Sequence, residues 1–255
     1  MLTRPALEIA VASPSGAGAA RVGGADRVEL CAGLELGGLT PSQALVEQAV
    51  DTGIPVHVLI RCRPGGFTYD GDEVALMVRE AVTVLDAGAR GVVVGALTAE
   101  GGLDGEAVSR LVTAARTVRE DTEITFHRAV DHATDPVGLV AELAGLGIDR
   151  VLSSGGAANA ADGAATLARL LDVAGPVQVM AGGGVRIEDL PALAAVGVHA
   201  IHLSAKRPVL AHLTGGVPLG VADEQGSAGV SHYTTDQALV ATARRALEDW
   251  ASRSR

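Results

Sequence analysis

The chain has 255 residues and a formal net charge of −10, with 48% hydrophobic residues but only 2% aromatic ones. That charge excludes nonspecific nucleic-acid binding and attraction to an anionic membrane surface, and the length suits one barrel-sized domain or two smaller ones. A core so poor in aromatics has to be built from Val, Leu, Ile and Ala, which pack well in parallel strands covered by helices.

The start, Met1 to Pro5, lacks the apolar stretch of a signal peptide. No apolar run is long enough to span a bilayer, and Cys31 and Cys62 make no disulfide framework. The expected setting is cytoplasmic. Lys206 is the only lysine, so a Schiff-base mechanism would have a single candidate amine.

Eight strands are predicted: Leu7 to Ala12, Arg27 to Cys31, Val56 to Arg61, Gly91 to Ala96, Ile124 to Ala129, Arg150 to Ser154, Val177 to Ala181 and Ala200 to Ser204. Between them a glycine repeatedly closes a helical stretch before a Val/Ile-rich run, at Gly24, Gly53, Gly88, Gly147, Gly175 and Gly197. Thr40-Pro41 and Asp135-Pro136 each place a capping side chain before a proline at the first helical position, and Asp104 is a third cap. Eight such units define an α/β fold, a (β/α)8 TIM barrel, as a single domain over 1–255 with its core at about 7–207. An open doubly wound sheet would call for Gly-x-Gly-x-x-Gly after the first strand, where Ser13-Pro14-Ser15-Gly16 stands instead. The C-terminal part, 208–255, reads as an arm over Pro208 to Gly229 and then a helix from Thr234 to Ser252. Leu239, Val240, Ala243, Leu247 and Trp250 form the apolar face of that helix. It either closes the barrel or contacts another subunit, and a homo-oligomer is expected.

Strand five runs into charge: Thr125-Phe126-His127-Arg128-Ala129-Val130-Asp131. Barrels place their chemistry at the carboxyl ends of strands. Alternation turns Glu8, Glu29 with Cys31, His57 with Arg61, His127, and His202 with Ser204 toward the interior. Charges buried in such numbers are costly unless they pair or serve a site. Glu8, Glu29, Arg61, His127, Arg128 and Asp131 are therefore the candidate catalytic residues. The structural alternative is a core histidine bonded to backbone, with an Arg-Asp pair trimming the strand end. Ser153, Gly155, Gly182, Gly183, Gly184 and Ser204 are candidate anion donors, because glycine turns after strands six to eight let backbone N–H groups approach an anion. By the same parity Cys62 faces the helices, so it cannot share an ion with Cys31.

Taken together, Arg27-Val28-Glu29-Leu30-Cys31, Gly37 to Ser42, Ile60-Arg61-Cys62-Arg63, Thr125 to Asp131, Val151 to Gly155 and Met180 to Gly184 resemble the copper homeostasis protein CutC family, from about Leu7 to Arg207. The resemblance implies a (β/α)8 barrel and cytoplasmic copper handling, with copper(I) as the bound metal and Cys31 as a metal ligand. Ala10 stands where the family commonly has cysteine, Cys62 where it has proline, and Val130 where it has phenylalanine. Two functions are carried forward. One is copper binding in copper homeostasis. The other is a lyase, isomerase or hydrolase acting on a small phosphorylated or carboxylated metabolite, with Glu8, Glu29 and His127 as acid/base groups or ligands of a divalent metal. In that second reading Arg61 and the glycine turns hold the anion. The expected partner is a small-molecule anion or a metal ion.

Overall fold

The computed structural model describes residues 4–210 and 230–253. Eight parallel strands close into a barrel in chain order. They are β1 (Ala6–Val11), β2 (Arg27–Leu30), β3 (Val56–Leu59), β4 (Gly91–Val94), β5 (Glu123–Phe126), β6 (Arg150–Ser153), β7 (Gln178–Gly182) and β8 (Ala200–Leu203). The strands after the first are only four or five residues long. Helices α1 (Pro14–Val22), α2 (Gln43–Val50), α3 (Gly71–Asp86), α4 (Gly105–Val118), α5 (Pro136–Leu143), α6 (Ala164–Val173) and α7 (Leu190–Val196) cover the outside. α8 (Gln237–Arg253) packs on α7 and α1 and completes the ring.

Local chemistry explains the element ends. Asp104 and Asp135 accept from the N–H groups of Ala107 and Gly138 at 3.0 Å, and Pro136 opens α5. The Thr40-Pro41 expectation is corrected. Ser42 is the cap of α2 and Gln43 its first residue, while the Thr40 hydroxyl is taken by Glu80 and by the Arg61 backbone N–H. Ser13 caps α1 ahead of Pro14 in the same way. All six glycines of the recurring series have positive φ, the left-handed conformation that ends a helix.

The arm is also corrected at its ends. β9 (Lys206–Leu210) and β10 (Val230–Thr235) pair antiparallel, with Thr235 opposite Lys206. The helix therefore starts at Gln237 rather than Thr234. Residues 211–229, the rest of the expected loop, lie outside the described residues. α8 buries Val240, Ala243, Leu247 and Ala251, spaced i, i+3, i+7, i+11, so Leu239 falls off the docked face and is 37% exposed. Among the described residues no helix is long and apolar enough to cross a membrane.

One carboxylate ties the closing helix to the start of the chain. Asp26 accepts from both Arg4 guanidinium nitrogens at 2.7 Å, from the Leu7 backbone N–H at 2.7 Å and from Arg244 of α8 at 3.1 Å. Burial pushes its pKa up, but Arg4, the Leu7 N–H and Arg244 outweigh burial and bring it down to about 2. Its contribution is thus present above about pH 4 and is lost as pH falls through 2. Asp26→Ala is expected to lower stability by about 1–3 kcal/mol at pH 7 and by much less at pH 2, read from urea melts at both values. An equal loss at both would show that the carboxylate charge plays no part.

Candidate functional site

The outer faces of the strands and the helices make the main apolar core, and the barrel interior is different. It holds two small apolar clusters, Leu152–Met180–Ala200 and Cys31–Leu59–Val93, with charge between them. Parallel register sets Glu8 beside Arg27 on β2 and beside His202 on β8, and sets Glu29 beside His57 on β3. Two glycines of β4 and its end admit two imidazoles. A Cβ on Gly91 would lie 2.5 Å from His57, and one on Gly95 would lie 2.5 Å from His127. Only glycine fits at either place.

Glu8 is 1% exposed. It forms a short ion pair with the Arg27 Nε, and His202 Nδ1 lies 2.8 Å from its other oxygen. Burial pushes the Glu8 carboxyl up, yet Arg27 and His202 outweigh burial and hold it well below the usual carboxylate range. Glu29 has no such help. Burial pushes its carboxyl up to about 7, with His202 opposing and Glu8 adding, and Oε2 is buried without a partner. Arg61 does not pair with either carboxylate. Its guanidinium donates to the carbonyls of Leu36, Gly38 and Gly65 instead.

At the carboxyl end of the barrel lies a hollow of about 520 Å3. Glu29, Cys31, Arg61, His127 and Arg128 all line it, with Phe67, His132 and His202 completing its polar and aromatic wall. Of the expected residues, Glu8 and Asp131 do not line it but bond His202 and Arg128, which do. Burial pushes the Cys31 thiol up to about 12, with Glu29 and Glu35 adding. His127 is bonded to backbone through one ring nitrogen only. Its Nδ1 accepts from the Ala129 backbone N–H at 3.1 Å, and its Nε2 is buried without a partner.

The turn after β6, expected to hold an external anion, already encloses an internal one. Asp131 accepts from the hydroxyls of Ser153 and Ser154, from the N–H groups of Ser154 and Gly156, and from Arg128 Nε at 2.8 Å. The Gly155 N–H goes to the Ser153 hydroxyl. The Ser153 hydroxyl and the Gly155 N–H are thus engaged within the turn itself. Gly182 packs on Leu152 and His202, Gly183 on Arg128 and Ser154, and Gly184 on the Ala158 carbonyl, so these three are close-approach positions. Ser204 is half-buried beyond β8.

Sequence reasoning passed over Arg27, although it alternates with Glu29 and so faces inward by the same count. His202 faces inward by the same count, whereas Phe67 stands on a loop and His132 ends a short 3-10 helix (Arg128–His132), where strand alternation says nothing. Ligand atoms of Glu8, Glu29 and His202 lie within 4.8 Å of one another. That oxygen-oxygen-nitrogen set suits a divalent ion better than copper(I). Lys206, exposed on β9, lies with Nζ 4.4 Å from the Tyr233 ring centroid, and it does not line the hollow.

Comparison with known proteins adds the following. A family model described as the CutC family matches residues 6–207. A family protein CutC from Xanthomonas campestris is 42% identical over 212 residues, 81% of this chain and 86% of the relative. One from Caulobacter vibrioides is 40% identical over 246 residues, covering 96% and 97%. A crystal structure from Streptococcus agalactiae, carrying the provisional name copper homeostasis protein CutC, superposes with a TM-score of 0.72 at 27% identity. It covers 78% of this chain and 98% of that one.

Proposed function

The chain belongs to the CutC family, and from that premise we propose that it serves copper homeostasis, with the hollow at the barrel mouth as the place where it meets its ligand. The supporting observation is that Glu29 Oε2, Arg61 Nε and His127 Nε2 are buried without partners and belong to residues lining this one hollow. Each unpaired group costs about 1–3 kcal/mol, a cost that a bound ligand removes. Copper enters as cargo. Copper(I) favours soft sulfur donors, and the donors fit it poorly. Cys31 is the only thiol on the hollow, Ala10 lines it without a donor, and Cys62 packs on the outer core.

Copper(I) is therefore expected to bind weakly, with Cys31→Ser removing most of the binding, as measured by competition with a chromophoric copper(I) chelator. Tight binding that survives the substitution would move the copper site elsewhere in the chain. No binding by the unsubstituted protein would remove copper as its cargo. A second reading, an enzyme acting on a small carboxylated or phosphorylated metabolite, is favoured by one specific feature. Arg61 is a buried cation, 7% exposed, and among the described residues its hydrogen-bond partners are carbonyls rather than carboxylates.

A further inference from the structure

We propose that Arg61 Nε–H and His127 Nε2–H form a two-donor seat for the carboxylate of a small metabolite, with His127 acting as a neutral donor rather than as a base. The proposal rests on the second reading of the hollow, that of a small anionic ligand, and is independent of copper.

The tautomer of His127 follows from its own backbone. An N–H can only donate, so the Nδ1 that accepts from the Ala129 N–H at 3.1 Å carries no proton. A neutral imidazole then has its single proton on Nε2. Burial, with the Arg61 charge adding, pulls the His127 pKa down to about 3, so the ring is neutral at ordinary pH. Nε2–H is thus a buried donor without an acceptor on a residue that lines the hollow. Such a donor can polarise an oxygen, and it has no lone pair with which to take a proton.

Arg61 supplies the matching group. Its Nη1 and Nη2 are fixed on the carbonyls of Leu36, Gly38 and Gly65 at 2.7 to 3.2 Å, which orients the guanidinium and leaves Nε without a partner. The Tyr69 hydroxyl sits beside the Arg61 guanidinium, whose charge and side-chain hydrogen bonding both act on it, although no bond of standard geometry joins the two. Phe67 touches both residues. Its ring centroid is 4.9 Å from that of His127 and 5.3 Å from Arg61 Cζ.

Charge selects carboxylate over phosphate. The other arginine on the hollow, Arg128, is already paired with Asp131 at 2.8 Å, His202 is paired with Glu8, and the donors of the turn after β6 are spent on Asp131 as well. A phosphate dianion would find one unpaired cation, with Glu29 on the wall and Glu8 behind it. A carboxylate monoanion matches the single charge of Arg61, and a hollow of about 520 Å3 accommodates a small metabolite.

Proton-detected nitrogen-15 NMR on histidine-labelled protein tests this, with glycolate in one titration and inorganic phosphate in the other. Glycolate is expected to shift the His127 Nε2–H resonance saturably. His127→Phe should weaken glycolate binding about tenfold to a hundredfold, and His127→Gln, which restores an N–H at that reach, should recover much of it. Arg61→Lys keeps the charge but loses the fixed Nε and should also weaken binding. Glycolate binding unchanged in His127→Phe and Arg61→Lys would overturn the two-donor seat and leave the small-anion reading standing. So would saturation by phosphate alone. If neither anion binds, both the seat and the reading it rests on fail.

Discussion

Glu8→Gln is expected to lower stability by about 3–5 kcal/mol in denaturant melts at pH 7. The carboxylate is buried, and its two oxygens meet Arg27 and His202. Removing its charge leaves the Arg27 guanidinium, itself only 8% exposed, with Met180 Sδ at 3.3 Å as its remaining side-chain hydrogen bond among the described residues. A buried pair adds little net stability over apolar packing, but one partner left alone in a low dielectric is heavily penalised. His202 changes too. Burial lowers its affinity for a proton, and the Glu8 hydrogen bond with the Glu29 and Glu8 charges reverses that and raises it. A loss below about 1 kcal/mol would show that the Glu8–Arg27 pair does not hold the barrel interior together.

Glu29→Gln is expected to do the opposite. In metal-free wild-type protein, stability should fall by about 2–3 kcal/mol as pH rises from the ordinary carboxyl value near 4.5 to about 7 and then level off. The direction follows from the raised pKa: between those two values the folded chain holds a proton at Glu29 that the unfolded chain has released. Glutamine cannot ionise, so the variant should lack this slope and be more stable than wild type at pH 8. Stability curves at pH 5, 6, 7 and 8 check both statements. A variant less stable than wild type at pH 8 would mean that the charged carboxylate has a partner and that the site is a closed structural network.

These two glutamates look alike in the sequence. Each sits on a strand with inward parity, two residues before a small side chain, Ala10 or Cys31. Alternation correctly turned both into the barrel, but it carries no information on what lies across the interior. Arg27 stands beside Glu8 because β1 and β2 pair with Glu8 opposite Arg27, whereas Ala10 is opposite Glu29. Shared parity therefore led to a shared role, and register separated the two.

His127 and Asp131 make the same point at the mouth. The burst of charge after Phe126 falls at the barrel mouth, where His127, Arg128, Arg61, Glu29 and Cys31 line one hollow. Which nitrogen of His127 carries a proton depended on the Ala129 N–H two residues on. Whether the turn after β6 was free for a ligand depended on Asp131, more than twenty residues earlier in the chain.

By itself the sequence determined the eight strands, their alternation with helices, the glycine stops and the caps at Asp104 and Asp135, because each depends on residues within one turn or one strand. It also determined which strand ends are charged. Tertiary structure decided the pairing of Glu8 with Arg27 and His202, the isolation of Glu29 Oε2, the filling of the β6 turn by Asp131, and the β9–β10 ribbon where a loop was expected. The physical reason is that polar satisfaction in a barrel interior is set by the stagger between neighbouring strands and by the reach of loops across the mouth. Both are properties of closure, and neither is encoded in any single repeat.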